Sequence, residues 1–152
     1  MHDFHTQLYH WVESFGFPVS AFVRLTLAAV CGALIGLERE IRGREAGFRT
    51  NLLVCLGCAT IMIVSLQVGM LSWPTLPGRN IMVDPARIAY ATMAGIGFLG
   101  AGAIVKHGSD VRGLTTAAGI WCVAAIGLGA GQGLYLLVII ATALVLIALL
   151  AL

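Results

Sequence analysis

The side chains able to do chemistry in this chain are its charged ones, and they are few and unevenly placed. Lys and Arg number 9 and Asp and Glu 7, and seven of these sixteen crowd into the fourteen positions Leu37–Thr50, LEREIRGREAGFRT. Three acid-first i,i+4 pairs are predicted there, Glu38 with Arg42, Glu40 with Arg44 and Glu45 with Arg49, which leaves Arg39 unpaired. Gly43 and Gly47 interrupt the helix that the last pair would need. Arg24 stands apart, inside an apolar stretch, where an arginine at a helix centre costs about 2.5–3.5 kcal/mol and less near an end. It needs a partner, and Asp84 is the acid expected to supply one, as a helix clamp or as an outer gate.

These side chains must be held by elements built for lipid. Hydrophobic residues make up 59% of the chain and charged ones 11%, with a mean hydropathy of +0.96, far from the balance of a soluble domain. Thr50–Gly78, Ile88–Val105 and Gly113–Leu152 carry no Asp, Glu, Lys or Arg. A span needs about 20 apolar residues, so the last stretch must fold back, and the glycine cluster 129–133 is the expected turn. The reading is an all-α polytopic membrane protein with five transmembrane helices, at about 20–37, 50–71, 88–105, 114–130 and 134–152. Continuous apolar runs exclude a barrel, whose strands alternate.

Residues 1–19 form a separate extracytoplasmic segment. Phe4, Leu8, Trp11, Val12 and Phe15 recur at helical spacing, which predicts an amphipathic helix lying in the interface. His2, His5 and His10 are read as polar interfacial residues, since no cysteine or acid cluster joins them. The segment lacks the basic start of a cleavable signal peptide. Arg39, Arg42, Arg44 and Arg49 in the first connection, with Lys106 and Arg112 in the third, outnumber Arg79 and Arg87 opposite. By the positive-inside rule the N-terminus is outside and the arginine-rich turn and C-terminus are cytoplasmic.

Several patterns have plainer readings than their motifs imply. Gly95, Gly97, Gly100 and Gly102 include a G-x-G-x-x-G, yet no strand precedes it, so close helix packing is expected, as for Gly32 and Gly36. Cys55 and Cys58 form C-x-x-C within a span and are read as small buried residues. No nucleophile, base and orienting group assemble, so no enzyme is expected, and nothing points to nucleic acid. Aligning Gly47–Thr50 with Gly113–Thr116 pairs the first hairpin with the second as a parallel repeat. In that arrangement Arg39, Arg42, Arg44, Arg49 and Arg112 form a basic cytoplasmic surface, which repels bare cations and suits anionic lipid or an acidic membrane-protein partner.

The stretches GALIGLEREIRGREAGFRTNLLVCLG (32–57) and DPARIAYATMAGIGFLGAGAIVKHGSDVRGLTTAAGIWCVAAIGLGAG (84–131) resemble the MgtC/SapB family of bacterial inner-membrane proteins. The resemblance covers roughly residues 24–131 and rests on the ERE-x-x-GR-x-AG-x-RT loop, the DP-x-R start, GIGFLGAG and VRGLTTAA in that order. It implies a place in magnesium homeostasis, with some members named as magnesium transport proteins and others viewed as regulators of membrane complexes, including ATP synthase. Many relatives continue into a cytoplasmic domain, so a short member or part of a longer chain is expected.

Seen through that resemblance, the transport or binding candidates are Arg24, Glu38, Asn51, Asp84, Arg87, Asp110, Thr115 and Thr116. Glu38 and Asp84 are the candidate metal ligands, at opposite ends of the bundle. Mg²⁺ keeps several waters and uses one or two carboxylates, so so small a set fits a hydrated ion at most. Asn51, Thr115 and Thr116 have a competing role as caps and interhelical hydrogen bonds. The expected function is magnesium homeostasis or transport, with a non-transporting regulator as the alternative. The surrounding bilayer and a homodimer through small-residue faces complete the expected partners.

Overall fold

The computed structural model describes residues 2–70, 84 and 86–151. The second connection and its Arg79 lie outside the described residues. Six helices and one β-hairpin follow in order: α1 His2–Glu13, α2 Phe17–Ile41, α3 Phe48–Met70, α4 Ala86–Gly102, β1 Val105–His107, β2 Asp110–Arg112, α5 Leu114–Gln132 and α6 Tyr135–Ala151.

Three of these, α2, α3 and α5, are long and apolar enough to cross a membrane, with spans of 25, 22 (Phe48–Gly69) and 19 residues. The 25 residues of α2 span roughly 37 Å against a hydrocarbon core of about 30 Å. The apolar α4 and α6 are 17 residues each, roughly 26 Å long.

Helix ends follow the glycines. Gly16, at φ +87, turns the chain between α1 and α2, and Pro18 sits in the first turn of α2, where its missing N–H costs nothing. At the other end Gly43 takes φ +65, its N–H donates to the Glu40 carbonyl, and the Arg44 N–H donates to Arg39. This Schellman arrangement satisfies the last carbonyls of α2. Gly133, at φ +86, closes α5 the same way, with the Gly133 and Leu134 N–H groups donating to Ala130 and Gly129. The turn therefore falls at the end of the expected glycine cluster, because Gly129 and Gly131 stay helical and serve packing instead.

The all-α expectation needs one correction. The third helix was expected to reach Val105, but α4 ends at Gly102 and the chain enters a two-stranded antiparallel hairpin pairing Val105 with Arg112 and His107 with Asp110. Gly108, at φ +60, opens its two-residue turn, a position where such turns call for glycine.

Packing is dictated by small residues. A Cβ on Gly32 would lie 2.7 Å from the Cys55 Cβ, and one on Gly36 would lie 2.8 Å from the Phe48 Cα, so α2 and α3 meet backbone to backbone as antiparallel neighbours. Gly127 and Gly131 do the same for α5 on α3, with the added Cβ atoms 2.3 Å from the Cys55 carbonyl and 2.4 Å from the Ala59 carbonyl. Here residue numbers rise together, so α3 and α5 run parallel. The core that results joins Ala28, Cys31, Ile35, Cys55, Ala59, Val123, Ala130 and Val138. The cysteines are thus packing residues: Cys31, Cys55 and Cys58 are buried and free.

The α4 glycines behave otherwise. A Cβ on Gly95, Gly97 or Gly102 would meet nothing within 4 Å, and only Gly100 touches a neighbour, Ala117 at 3.7 Å. Close helix packing, within the bundle or between protomers, is the expectation for all four, and among the described residues contact within the chain is made at Gly100. Replacing Gly131 with alanine is expected to force α3 and α5 apart and destabilise the bundle by about 1–3 kcal/mol. Gly57→Ala, on an open helix face, should be neutral or stabilising by about 0.5–1 kcal/mol. Thermal unfolding in detergent compares the two, and equal midpoints would remove the packing argument.

Candidate functional site

Among the described residues charge gathers at the two ends of the bundle. At the end where α1 meets α2, Arg24 is buried at 6% exposure and its guanidinium is held on three sides. Nη1 donates to the Gly131 carbonyl at 2.8 Å, Nη2 donates to the Glu13 carboxylate, and the cation lies over the Tyr9 ring, 5.6 Å from its centroid. Ser20 donates to the same Glu13 oxygen at 2.8 Å. Gly131 is among the last residues of α5, so the arginine also neutralises the negative end of that helix. Gly133 leaves room for this, since a Cβ there would stand 3.1 Å from the Tyr9 ring and 3.3 Å from the Arg24 Cζ.

The acid paired with Arg24 is therefore Glu13, and the expected bridge to Asp84 is corrected. The turn at Gly16 folds α1 back over the start of α2, bringing in an acid eleven residues away. Asp84 is exposed at the start of α4, where its carbonyl accepts from the Arg87 N–H at 3.2 Å. The Arg87 side chain is exposed. The pair at Arg24 lines a polar cleft of about 590 Å³ with Tyr9, Ser20, Gln67 and Gln132, and Asp84 borders a neighbouring cavity that shares Gln132.

The opposite end gathers the ends of α2 and α6 and the starts of α3 and α5. Glu38 and Arg39 are buried, at 9% and 6% exposure. The Glu38 carboxylate stands 2.8 Å from Arg42 Nε, as the i,i+4 spacing predicts, and 3.7 Å from an Arg39 nitrogen, so Arg39 is not unpaired. The other two expected pairs are replaced. Glu40 accepts from the Phe48 N–H at 2.7 Å, which caps the first turn of α3 with a carboxylate, and Glu45 lies 3.5 Å from the Thr116 hydroxyl. Buried Asn51 donates to the Ala46 and Gly47 carbonyls at 2.7 and 3.0 Å. Asn51 and Thr116 thus fasten the turn, the capping alternative for these residues.

The expected five-arginine surface is only partly assembled. Arg39, Arg42 and Arg44 share one groove with Thr115, Arg49 is exposed on α3, and Arg112 pairs with Asp110 of the same strand at 3.3 Å. The proposed repeat keeps its parallel sense in α3 and α5, but its two turns differ, one capped by Glu40 and Asn51 and the other a β-hairpin. The candidate ligands Glu38 and Asp84 stand at opposite ends, and among the described residues no three His, Cys, Asp or Glu cluster. Glu40 and Glu45 were expected to meet Arg44 and Arg49, and Glu13 had no expected partner; the contacts they make arrive through turns and between helices, which helical spacing does not report.

A bundle of apolar helices whose described charges gather at its ends defines a membrane protein. The chain matches the MgtC family over residues 25–152, and it belongs to that family. It is similar to "Putative magnesium transporter YhiD" of Escherichia coli K12, 45% identical over 113 residues that cover 74% of this chain and 51% of the relative. It is also similar to Protein MgtC of Brucella abortus, 49% identical over 107 residues covering 70% and 40%. An uncharacterized protein of Synechocystis is 43% identical over 132 residues, covering 87% and 52%. The chain spans about half the length of the curated relatives it matches. No solved structure matches it.

Proposed function

We propose that the protein serves magnesium homeostasis from within the bacterial inner membrane, and that it does so by contact with another membrane complex rather than through a pore of its own. In this reading α2 to α6 all cross the bilayer, with α4 and α6 fitted by local thinning. The N-terminal α1 lies at the extracytoplasmic interface, and the arginine-rich turn and C-terminus face the cytoplasm. Support comes from the large apolar side chains exposed along the bundle, among them Phe22, Leu34, Leu53, Phe98 and Leu144. The positive-inside rule places the end that carries Arg39, Arg42, Arg44, Arg49, Lys106 and Arg112.

One observation carries the mechanism: the less exposed acid at each end already stands against an arginine, Glu13 against Arg24 and Glu38 against Arg42. A hydrated Mg²⁺ held by one or two carboxylates would have to displace an arginine and then face its charge. The exposed Arg49 and Arg112 instead offer an acidic partner complementary charge. Transport is the second reading, favoured by the polar cleft at Arg24 and by the name of the Escherichia coli relative. Purified protein in liposomes loaded with a magnesium-sensitive dye decides between them. Influx no faster than in empty liposomes is expected, and influx that scales with protein and is lost in Glu13→Gln would establish transport.

A further inference from the structure

Between α2, α5 and α6 at the basic end lies a groove of about 280 Å³ with two chemically distinct halves. Its rim is Arg39, Arg42, Arg44 and Thr115, and its wall continues along Cys122, Val145 and Leu149. Arg42 also donates to the Leu150 carbonyl at 3.1 Å, tying the rim to the end of α6. Arg39 is the informative member. Its side chain is only 7% exposed, and its Nε has no hydrogen-bond partner, although it lines this groove. A buried guanidinium N–H without an acceptor is costly, and Arg presents its donors in a fork suited to phosphate oxygens.

Charge decides what fits. Among the described residues Glu38 is the acid that stands against this cluster, Glu40 and Glu45 of the same turn are engaged by the Phe48 N–H and the Thr116 hydroxyl, and the groove's own lining holds three arginines and no acid. The wall below it is apolar and runs along the exterior of helices that carry lipid-facing side chains, which a free phosphate would not use. Basic pockets between membrane helices that grade into apolar surface match a phospholipid with a net negative headgroup.

We infer that this groove is a specific site for an anionic phospholipid, its phosphate held by Arg39, Arg44 and the Thr115 hydroxyl and one acyl chain lying along Cys122, Val145 and Leu149. This goes beyond the magnesium reading and stands whether or not the protein conducts. It requires only that the groove lie at the depth of the headgroups.

Thermal unfolding of the full chain in neutral detergent tests it, with phosphatidylglycerol, phosphatidylcholine or inorganic phosphate added at equal phosphate concentration. Phosphatidylglycerol is expected to raise the midpoint saturably, the other two not. Arg44 and Thr115 are exposed, so the double variant Arg44→Gln/Thr115→Val should fold and bind phosphatidylglycerol at least tenfold more weakly. Arg39→Gln should lose the shift altogether. Equal shifts from both lipids, or full phosphatidylglycerol binding by the double variant, would overturn the site. A shift reproduced by inorganic phosphate alone would overturn the lipid in favour of a free anion.

Discussion

Gly113→Ala is expected to leave almost no folded protein in the membrane. Gly113 holds φ +87 directly before α5, and a Cβ there would lie 1.8 Å from the Ala103 carbonyl oxygen and 2.9 Å from its carbon. Both are backbone atoms of the chain leaving α4, so no side-chain rotation relieves the clash. The left-handed conformation adds about 1–2 kcal/mol for any residue with a Cβ, and the forced contact about 1–3 kcal/mol or more. Against a total stability of about 5–15 kcal/mol, that sum is a large fraction. Gly108→Ala is the control: it carries φ +60 but has nothing within 4 Å, so only the conformational cost of about 1 kcal/mol applies. Folded yield by fluorescence-detected size exclusion should fall steeply for Gly113→Ala and slightly for Gly108→Ala. Matching yields would show that the hairpin shifts freely and that the close approach is unimportant.

Arg24→Met should be the second most damaging change, and for an electrostatic reason. Removing the guanidinium leaves the Glu13 carboxylate with Ser20 as its remaining donor and strips the Gly131 carbonyl at the end of α5. Breaking one side of a buried pair costs about 3–5 kcal/mol. The low end applies, because the Glu13 side chain is 32% exposed and water partly serves it. Arg24→Lys should recover only part of the loss, since one ammonium cannot reproduce the fork that reaches Glu13 and Gly131 together. In a double-mutant cycle Glu13→Gln should cost little once Arg24 is methionine, a coupling of about 1–3 kcal/mol. Additive losses, or an equal coupling with Asp84→Asn in place of Glu13→Gln, would return the pairing to Asp84.

The sequence disclosed some of this and concealed the rest for identifiable reasons. Apolar run length located α2 to α6, helical spacing located α1, and the burial cost of a lone arginine marked Arg24 before its surroundings were known. Partner identity was another matter. Spacing along a helix predicts Glu38 with Arg42, whereas Glu13 and Glu40 reach their partners around turns whose geometry depends on single glycines, and Glu45 meets Thr116 on a distant helix. The hairpin was hidden by context: Val105–His107 and Asp110–Arg112 flank a Gly-Ser pair, a hairpin signal, but the apolar run before it reads as helix. Glycine spacing was ambiguous in the same way. Gly32 and Gly36 face α3, while Gly95 and Gly97 meet no neighbour within 4 Å, and only the arrangement of neighbouring helices separates the two.

The parallel contact of α3 with α5 has a bearing on permeation. At Gly127 and Gly131, in the last two turns of α5, the two helices touch backbone to backbone, which closes the seam between them near the Arg24 end. A solute crossing there would first require the seam to open by roughly the width of a water molecule, about 3 Å, along its length. Spin labels on the two helices would register such wetting as a change in separation, so stillness between them during magnesium challenge would be the mark of a protein that signals without conducting.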